Sequence, residues 1–163
     1  MKYLVATFTL LAFTGAAAVA QPVSSVDRHF LNSAMEGGVA EIALAHTVMQ
    51  RTSDPTAHAF AQRMIRDHSK NDAQLAAVAQ SFGIRPSHEL PPEAADEQTK
   101  LQGLSGAAAA REYLTYEVKD HHKDIKDFSD ELGATSQPTI RAYVQSSLPV
   151  LHTHLRLAER DAR

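Results

Sequence analysis

Two adjacent histidines stand in the charged stretch YEVKDHHKDIKDF, residues Tyr116–Phe128. At helical spacing His121 falls in line with Val118, Ile125 and Phe128, which aims an imidazole into an apolar stripe. Three other segments repeat the pattern. Phe30, Ala34, Gly37, Leu44 and Val48 share a stripe with Glu41. Ala61, Met64, Asn71, Leu75, Val78 and Phe82 share one with His68, and Ile140, Val144, Ser147, Leu151 and Ala158 share one with His154. The third long segment completes its own stripe with Leu114 and Leu132.

Each stripe thus carries one ionisable residue near its middle. Three imidazoles and one carboxylate converging on one point would suit Zn, Fe or Mn, which accept mixed nitrogen and oxygen ligands, and also Cu(II). The sequence has no cysteine, which excludes thiolate sites and disulfides. The same residues can also satisfy one another, since Glu41 beside a protonated histidine is an ion pair that needs no metal. Glu117 lies one turn before His121 and is either a fifth ligand or a carboxylate that orients one. Asp67, beside His68, is read as a surface charge or an orienting acceptor, and so is Asp120 beside His121. His29, His46, His58, His88, His122 and His152 are read as solvated.

The elements that must position these residues are helices. Asp54-Pro55 is an N-cap followed by proline at the first helical position. Gly83 is a C-terminal stop, and Ser105 is placed to cap the next long helix, which ends at Gly133. The expected long helices run over about 27–51, 54–82, 105–133 and 138 to near the C-terminus, with a short one from Pro92 to near Gly103. No segment alternates with period two between turn signals, so no strand is expected. The connections within the first and last helix pairs are very short. They predict an all-α antiparallel four-helix bundle, with the short helix in the middle connection crossing its end. Counted from the turns, Glu41 and His68 sit about 4.5 Å apart in height, and His121 and His154 about 7.5 Å.

Residues 1–20 read as a secretory signal peptide: Lys2, an apolar run from Tyr3 to Phe13, and the small residues Ala18 and Ala20 before Gln21. One domain over residues 21–163 is expected to follow. Without Lys2 it holds 15 Lys and Arg against 19 Asp and Glu, a net charge near −4. That balance offers no basic patch for nucleic acid. No later segment is apolar enough to span a membrane. The expected location is the periplasm, in soluble form.

The segments AEIALAH, FAQRMIRDHSKNDAQLAAVA, YLTYEVKDHHKDIKDF and LPVLHTHL together resemble domain-of-unknown-function family 4142. The resemblance implies a ferritin-like helical fold and bacterial export rather than a given activity. The positions matching the family pattern are Glu41, Asp67, His68, His121 and His154. Ferritin-like di-iron proteins carry Glu-x-x-His on two helices. This sequence has Glu117-x-x-x-His121 instead, and no acid one turn before His154, so a carboxylate-bridged di-iron centre is not expected. The leading expectation is a small periplasmic protein holding one Zn, Fe or Mn ion through Glu41, His68, His121 and His154, without an established catalytic motif. The alternatives are a metal-free envelope interaction or stress protein with an unidentified envelope partner, and a redox enzyme with an open metal position.

Overall fold

The computed structural model describes residues 22–163, so the expected signal peptide over 1–20 lies outside the described residues. Among the described residues the chain is all α, with five helices and no strand. They are α1 (Ser25–Arg51), α2 (Pro55–Ser81), α3 (Pro92–Gly103), α4 (Gly106–Ala134) and α5 (Pro138–Asp161).

The local signals act as their chemistry requires. Ser24 caps α1 through a capping box in which Ser24 Oγ accepts from the Asp27 N–H and Asp27 Oδ2 accepts from the Ser24 N–H, both at 3.0 Å. Asp54 caps α2 by accepting the Ala57 N–H at 2.9 Å. Gly83 follows α2 at φ +70°, a left-handed conformation that costs glycine little. Its N–H reaches the Gln80 carbonyl, the Ile84 N–H reaches that of Ala79, and the Ile84 side chain is buried, which completes a Schellman stop. Ser105 occupies the N-cap of α4, but its side chain makes no capping hydrogen bond, contrary to expectation. Gly133 does not end α4. The helix continues through Ala134, and the Thr135 N–H closes it on the Glu131 carbonyl.

The helix α1 packs on α2, α3 and α4, while α5 packs on α4 and α2. The short α3 buries Ala94 and Leu101 and joins α1 through Gln98, whose amide donates to Thr47. Apolar burial falls into two separate clusters. One gathers Phe30, Leu31, Met35, Leu75, Phe128, Ile140, Val144 and Leu151. The other gathers Leu44, Val48, Phe60, Met64, Leu101, Tyr113, Leu114 and Ala158. On every long helix the boundary between the clusters is a polar residue or pair: Glu41, His68, Glu117 with His121, and His154. All are buried.

The stripes drawn from the sequence hold best on α5, where Ile140, Val144, Ser147, Leu151, His154 and Ala158 are all buried. On α4 the buried seam lies to one side of the expected one. Tyr113, Leu114, Glu117, His121, Phe128 and Glu131 are buried, while Val118, Ile125 and Leu132 are half-buried. On α1, Ala34 and Gly37 are half-buried, and Leu31, Met35 and Gly38 share the interior. The helix has neighbours on three sides, so its buried face is wider than one seam.

The start of α1 meets the end of α4 through two carboxyl groups. Burial pushes the Glu131 carboxyl up to about 7, and its hydrogen bond to Asp27 adds to the rise. Burial also raises Asp27, but hydrogen bonds from Thr135, Ser24 and Glu131 outweigh it and leave that group below its usual value. Protonated Glu131 therefore donates to ionised Asp27. A raised carboxyl favours the folded state at low pH and loses that advantage as pH rises from its unfolded value toward 7. Glu131→Gln keeps a donor without the titration. It is expected to stabilise the protein at pH 8 by on the order of 1–2 kcal/mol, with little effect near pH 4.5, as measured by urea unfolding at the two pH values.

Candidate metal centre

Between the two apolar clusters, α1 contributes Glu41, α2 His68, α4 Glu117 and His121, and α5 His154. Glu117, His121 and His154 have no exposed surface, Glu41 has 1% and His68 5%. The three imidazole rings surround a common space, with centroids 5.3 Å apart for His68–His154 and His121–His154, and 6.1 Å for His68–His121. One ring nitrogen from each lies within 4.8 Å of the other two. Zn–N bonds of about 2.0–2.1 Å require nitrogens somewhat closer than this, so side-chain adjustments of roughly 1 Å would complete a tetrahedral site.

Each ring is oriented by its other nitrogen. His121 donates Nδ1–H to the Glu117 carbonyl at 2.9 Å, which leaves a lone pair on Nε2. His154 donates Nε2–H to Asp67 Oδ2 at 2.9 Å, which leaves one on Nδ1. His68 Nδ1 lies 2.6 Å from Glu41 Oε2, with one proton between them. The remaining atoms, His68 Nε2, His121 Nε2 and His154 Nδ1, are buried and have no hydrogen-bond partner among the described residues. Imidazoles held at one nitrogen by a carboxylate or carbonyl, with the other nitrogen free, form the arrangement found around protein-bound metals.

The carboxylates extend the donor set. Glu41 Oε1 is unpartnered and lies 3.5 Å from His121 Nε2. Glu117 faces the Tyr113 hydroxyl, and one of its carboxylate oxygens lies 3.4 Å from His121 Nδ1. Glu41, Glu117 and His121 can offer one atom each within 4.8 Å, as can Glu41, Asp120 and Asp124. Four buried atoms of this layer, His68 Nε2, His121 Nε2, His154 Nδ1 and Glu41 Oε1, lack a partner among the described residues. At roughly 1–3 kcal/mol each they approach a typical domain's whole stability of about 5–15 kcal/mol. A cation would relieve most of that cost. Protons relieve part of it, and the titration behaviour is consistent with this. Burial pushes the Glu41 carboxyl well above its usual value, assisted by Asp124, Asp120 and Asp72. Burial likewise raises Glu117, with Glu41 and Asp120 adding to it. Burial lowers the imidazoles: His121 to about 3, with His68 and His154 adding to the shift, and His154 to about 4 against the pull of Asp67.

The structure brings Glu41, His68, His121 and His154 together, with Asp67 on one ring and Glu117 beside another. The rings of His121 and His154 are closer than the count from Thr135 suggested. The connection is centred near Ser136 and α4 is a residue longer, which brings the height offset to about 4.5 Å. His29, His46, His88, His122 and His152 are exposed, and His58 is half-buried against the Thr52 carbonyl. Asp120, half-buried, belongs to the wider acidic ring. The sequence reading passed over Asp72 and Asp124, one turn after His68 and His121 on the same faces. Asp124 is pushed up to about 7 by burial and by Asp120. Asp72 fills the notch left by Gly38, where a Cβ would sit 2.1 Å from its Oδ1. The one-turn spacing was the available signal for both. Tyr113, buried one turn before Glu117, was missed for the same reason.

The chain is thus all-helical among the described residues, and its interior carries a layer of imidazoles and carboxylates close enough together that they could hold a metal ion. It belongs to the family described as Domain of unknown function (DUF4142), whose model matches residues 12–160. No curated protein matches it. Two solved structures share its fold. A DUF305 fragment from Deinococcus radiodurans covers 85% of this chain and 96% of its own at 18% identity, with a TM-score of 0.75. A DUF305 protein from Streptomyces coelicolor covers 83% and 90% at 14% identity, with a TM-score of 0.68. At these identities the likeness is one of fold alone.

The hydrogen bonds fix the ring tautomers in the metal-free protein. Long-range ¹H–¹⁵N spectra at pH 7 should show His121 as the Nδ1–H form and His154 as the Nε2–H form. Both rings should stay neutral as the pH is lowered to about 5, below the unperturbed histidine value of about 6.5. Protonation of either ring above that pH would contradict the burial described.

Proposed function

We propose that the protein binds one first-row transition ion, Zn, Fe or Mn, through His68, His121, His154 and Glu41. The observation that carries this reading is the matched orientation of three buried imidazoles, each held at one nitrogen and free at the other. Glu41 Oε1 would complete the set, while Glu41 Oε2, Asp67 and the Glu117 carbonyl orient the rings. Cu(II) fits the same donors. A bound ion would stabilise the fold and order the core.

The surrounding architecture is read as a single domain over residues 21–163, an antiparallel four-helix bundle of ferritin-like type. Supporting it are the three-residue connections within the α1–α2 and α4–α5 pairs and the meeting of the α1 start with the α4 end. Export to the periplasm rests on the signal-peptide pattern of residues 1–20. In addition, no described helix is long and apolar enough to cross a membrane, and the Streptomyces relative carries the word secreted in its name. A second reading is a metal-free envelope interaction or stress protein. It is favoured by the 2.6 Å contact of Glu41 with His68, which ties α1 to α2 without an ion.

Thermal unfolding with added Zn, Mn(II), Fe(II) and Cu(II) separates the two. Metal held only by the folded state raises the melting temperature with the logarithm of its concentration over Kd. His121→Ala is expected to abolish the increment, and His122→Ala, on the exposed side of α4, to leave it unchanged. Asp67→Ala removes no ligand and is expected to weaken binding by about 10–100-fold. Affinity should fall as pH drops, because the Glu41 carboxyl, which burial holds well above its usual range, must lose its proton to ligate, whereas the His121 and His154 rings stay neutral down to about pH 5. If wild type gains no stability from any of these ions, the metal reading fails and the polar-core reading stands.

A further inference from the structure

A cavity of about 260 Å³ adjoins the polar layer and opens to solvent between α2 and α5. Its inner wall includes Glu41, His68 and His154, whereas His121 lies behind them and does not line it. An ion seated among the three imidazoles therefore has protein on one side and this space on the other.

The far wall is polar and rigid. Asn71 donates to the Tyr143 hydroxyl at 2.9 Å and accepts from Ser147 Oγ at 3.1 Å, and Ser147 also donates to the Tyr143 carbonyl at 3.0 Å. These bonds fix the Asn71 amide at the cavity, with its second N–H unused among the described residues. Val150, 41% exposed, stands at the rim, and Lys70 is among the lining residues.

From this geometry we infer that the bound ion keeps one coordination position open toward the cavity, and that a small anionic oxygen or nitrogen donor occupies it. The inference rests on the metal reading and deepens it. Three features set the ligand class. Neutral imidazoles with a single carboxylate leave a divalent ion net positive, which favours an anion. The Asn71 amide N–H and Lys70 favour the same sign, against the carboxylates of Asp67 and Asp124, which also line the cavity. The volume lies below the roughly 300–1,000 Å³ of sites for drug-sized ligands, which limits the guest to a few non-hydrogen atoms. With His68, His121, His154 and Glu41 as ligands, the open place is a fifth position, to which four-coordinate zinc-type sites can expand when an exogenous donor enters.

Co(II)-loaded protein titrated with sodium azide tests the inference, with the visible absorption bands of the ion as readout. Wild type should show a saturable change in those bands. Ser147→Leu, which fills the cavity, should keep the Co(II) bands and lose the azide response. Val150→Trp alters only an exposed rim position, so it should fold and bind Co(II) as wild type while slowing azide association. Co(II) bands unaffected by azide would overturn the open position and leave the metal reading intact. An azide response equal in wild type and both variants would overturn the cavity as its route. Failure of Co(II) to bind would overturn the metal reading and this inference together.

Discussion

A carboxylate and an imidazole, 2.6 Å apart and both almost wholly buried, govern the middle of this protein. The contact of Glu41 with His68 joins α1 to α2. It also sets the terms for every neighbouring group. Glu41 cannot be charged there without a counterion, and its carboxyl is raised accordingly. His68 cannot be a cation cheaply either, because burial opposes its charge. The pair holds one proton more comfortably than two or none. The same limit extends to Glu117, His121 and His154, which share the layer.

This constraint organises the packing. Apolar side chains fill the space on either side and stop at the layer, so the interior is two hydrophobic clusters divided by a polar plane. Replacing that plane with leucines would relieve several buried charges, and buried ionic groups are often outperformed by apolar substitutes. A layer this costly is therefore better explained by what it holds than by what it stabilises. The oriented rings, the free nitrogens and the adjoining cavity are consistent with a cation held by the layer and reached from one side.

The partners of the free atoms come from different helices, and that division has consequences. His154 on α5 depends on Asp67 of α2, and His121 depends on a carbonyl of its own helix. A shift of α5 along α2 would disturb one ring and spare the other. The close fit of Gly38 against Asp72 leaves α1 and α2 little freedom to slide at the same level. The layer is thus held in register by contacts that carry no apolar energy of their own.

Much of this was written in the sequence. Helix number and most helix ends followed from caps, prolines and Gly83, because such signals act within a few residues. The four interrupted stripes named Glu41, His68, His121 and His154, because a polar residue at a buried spacing is visible wherever the period is regular. On α5 that period was regular enough to name every buried residue of the stripe. On α4 it was not: Glu117 and Tyr113 share the interior with His121, and only the packing of α1 and α5 against that helix selected their side over that of Val118. The tautomer of His154, its pairing with Asp67 and the cavity beside Asn71 and Ser147 belong to the tertiary structure alone. Each depends on atoms from helices far apart in the chain, and the distance between such atoms is set by how the helices rotate and slide against one another. A sequence records which face a residue lies on, but hydrogen bonds and metal ligands are decided within about an ångström, and only the packed fold fixes positions that finely.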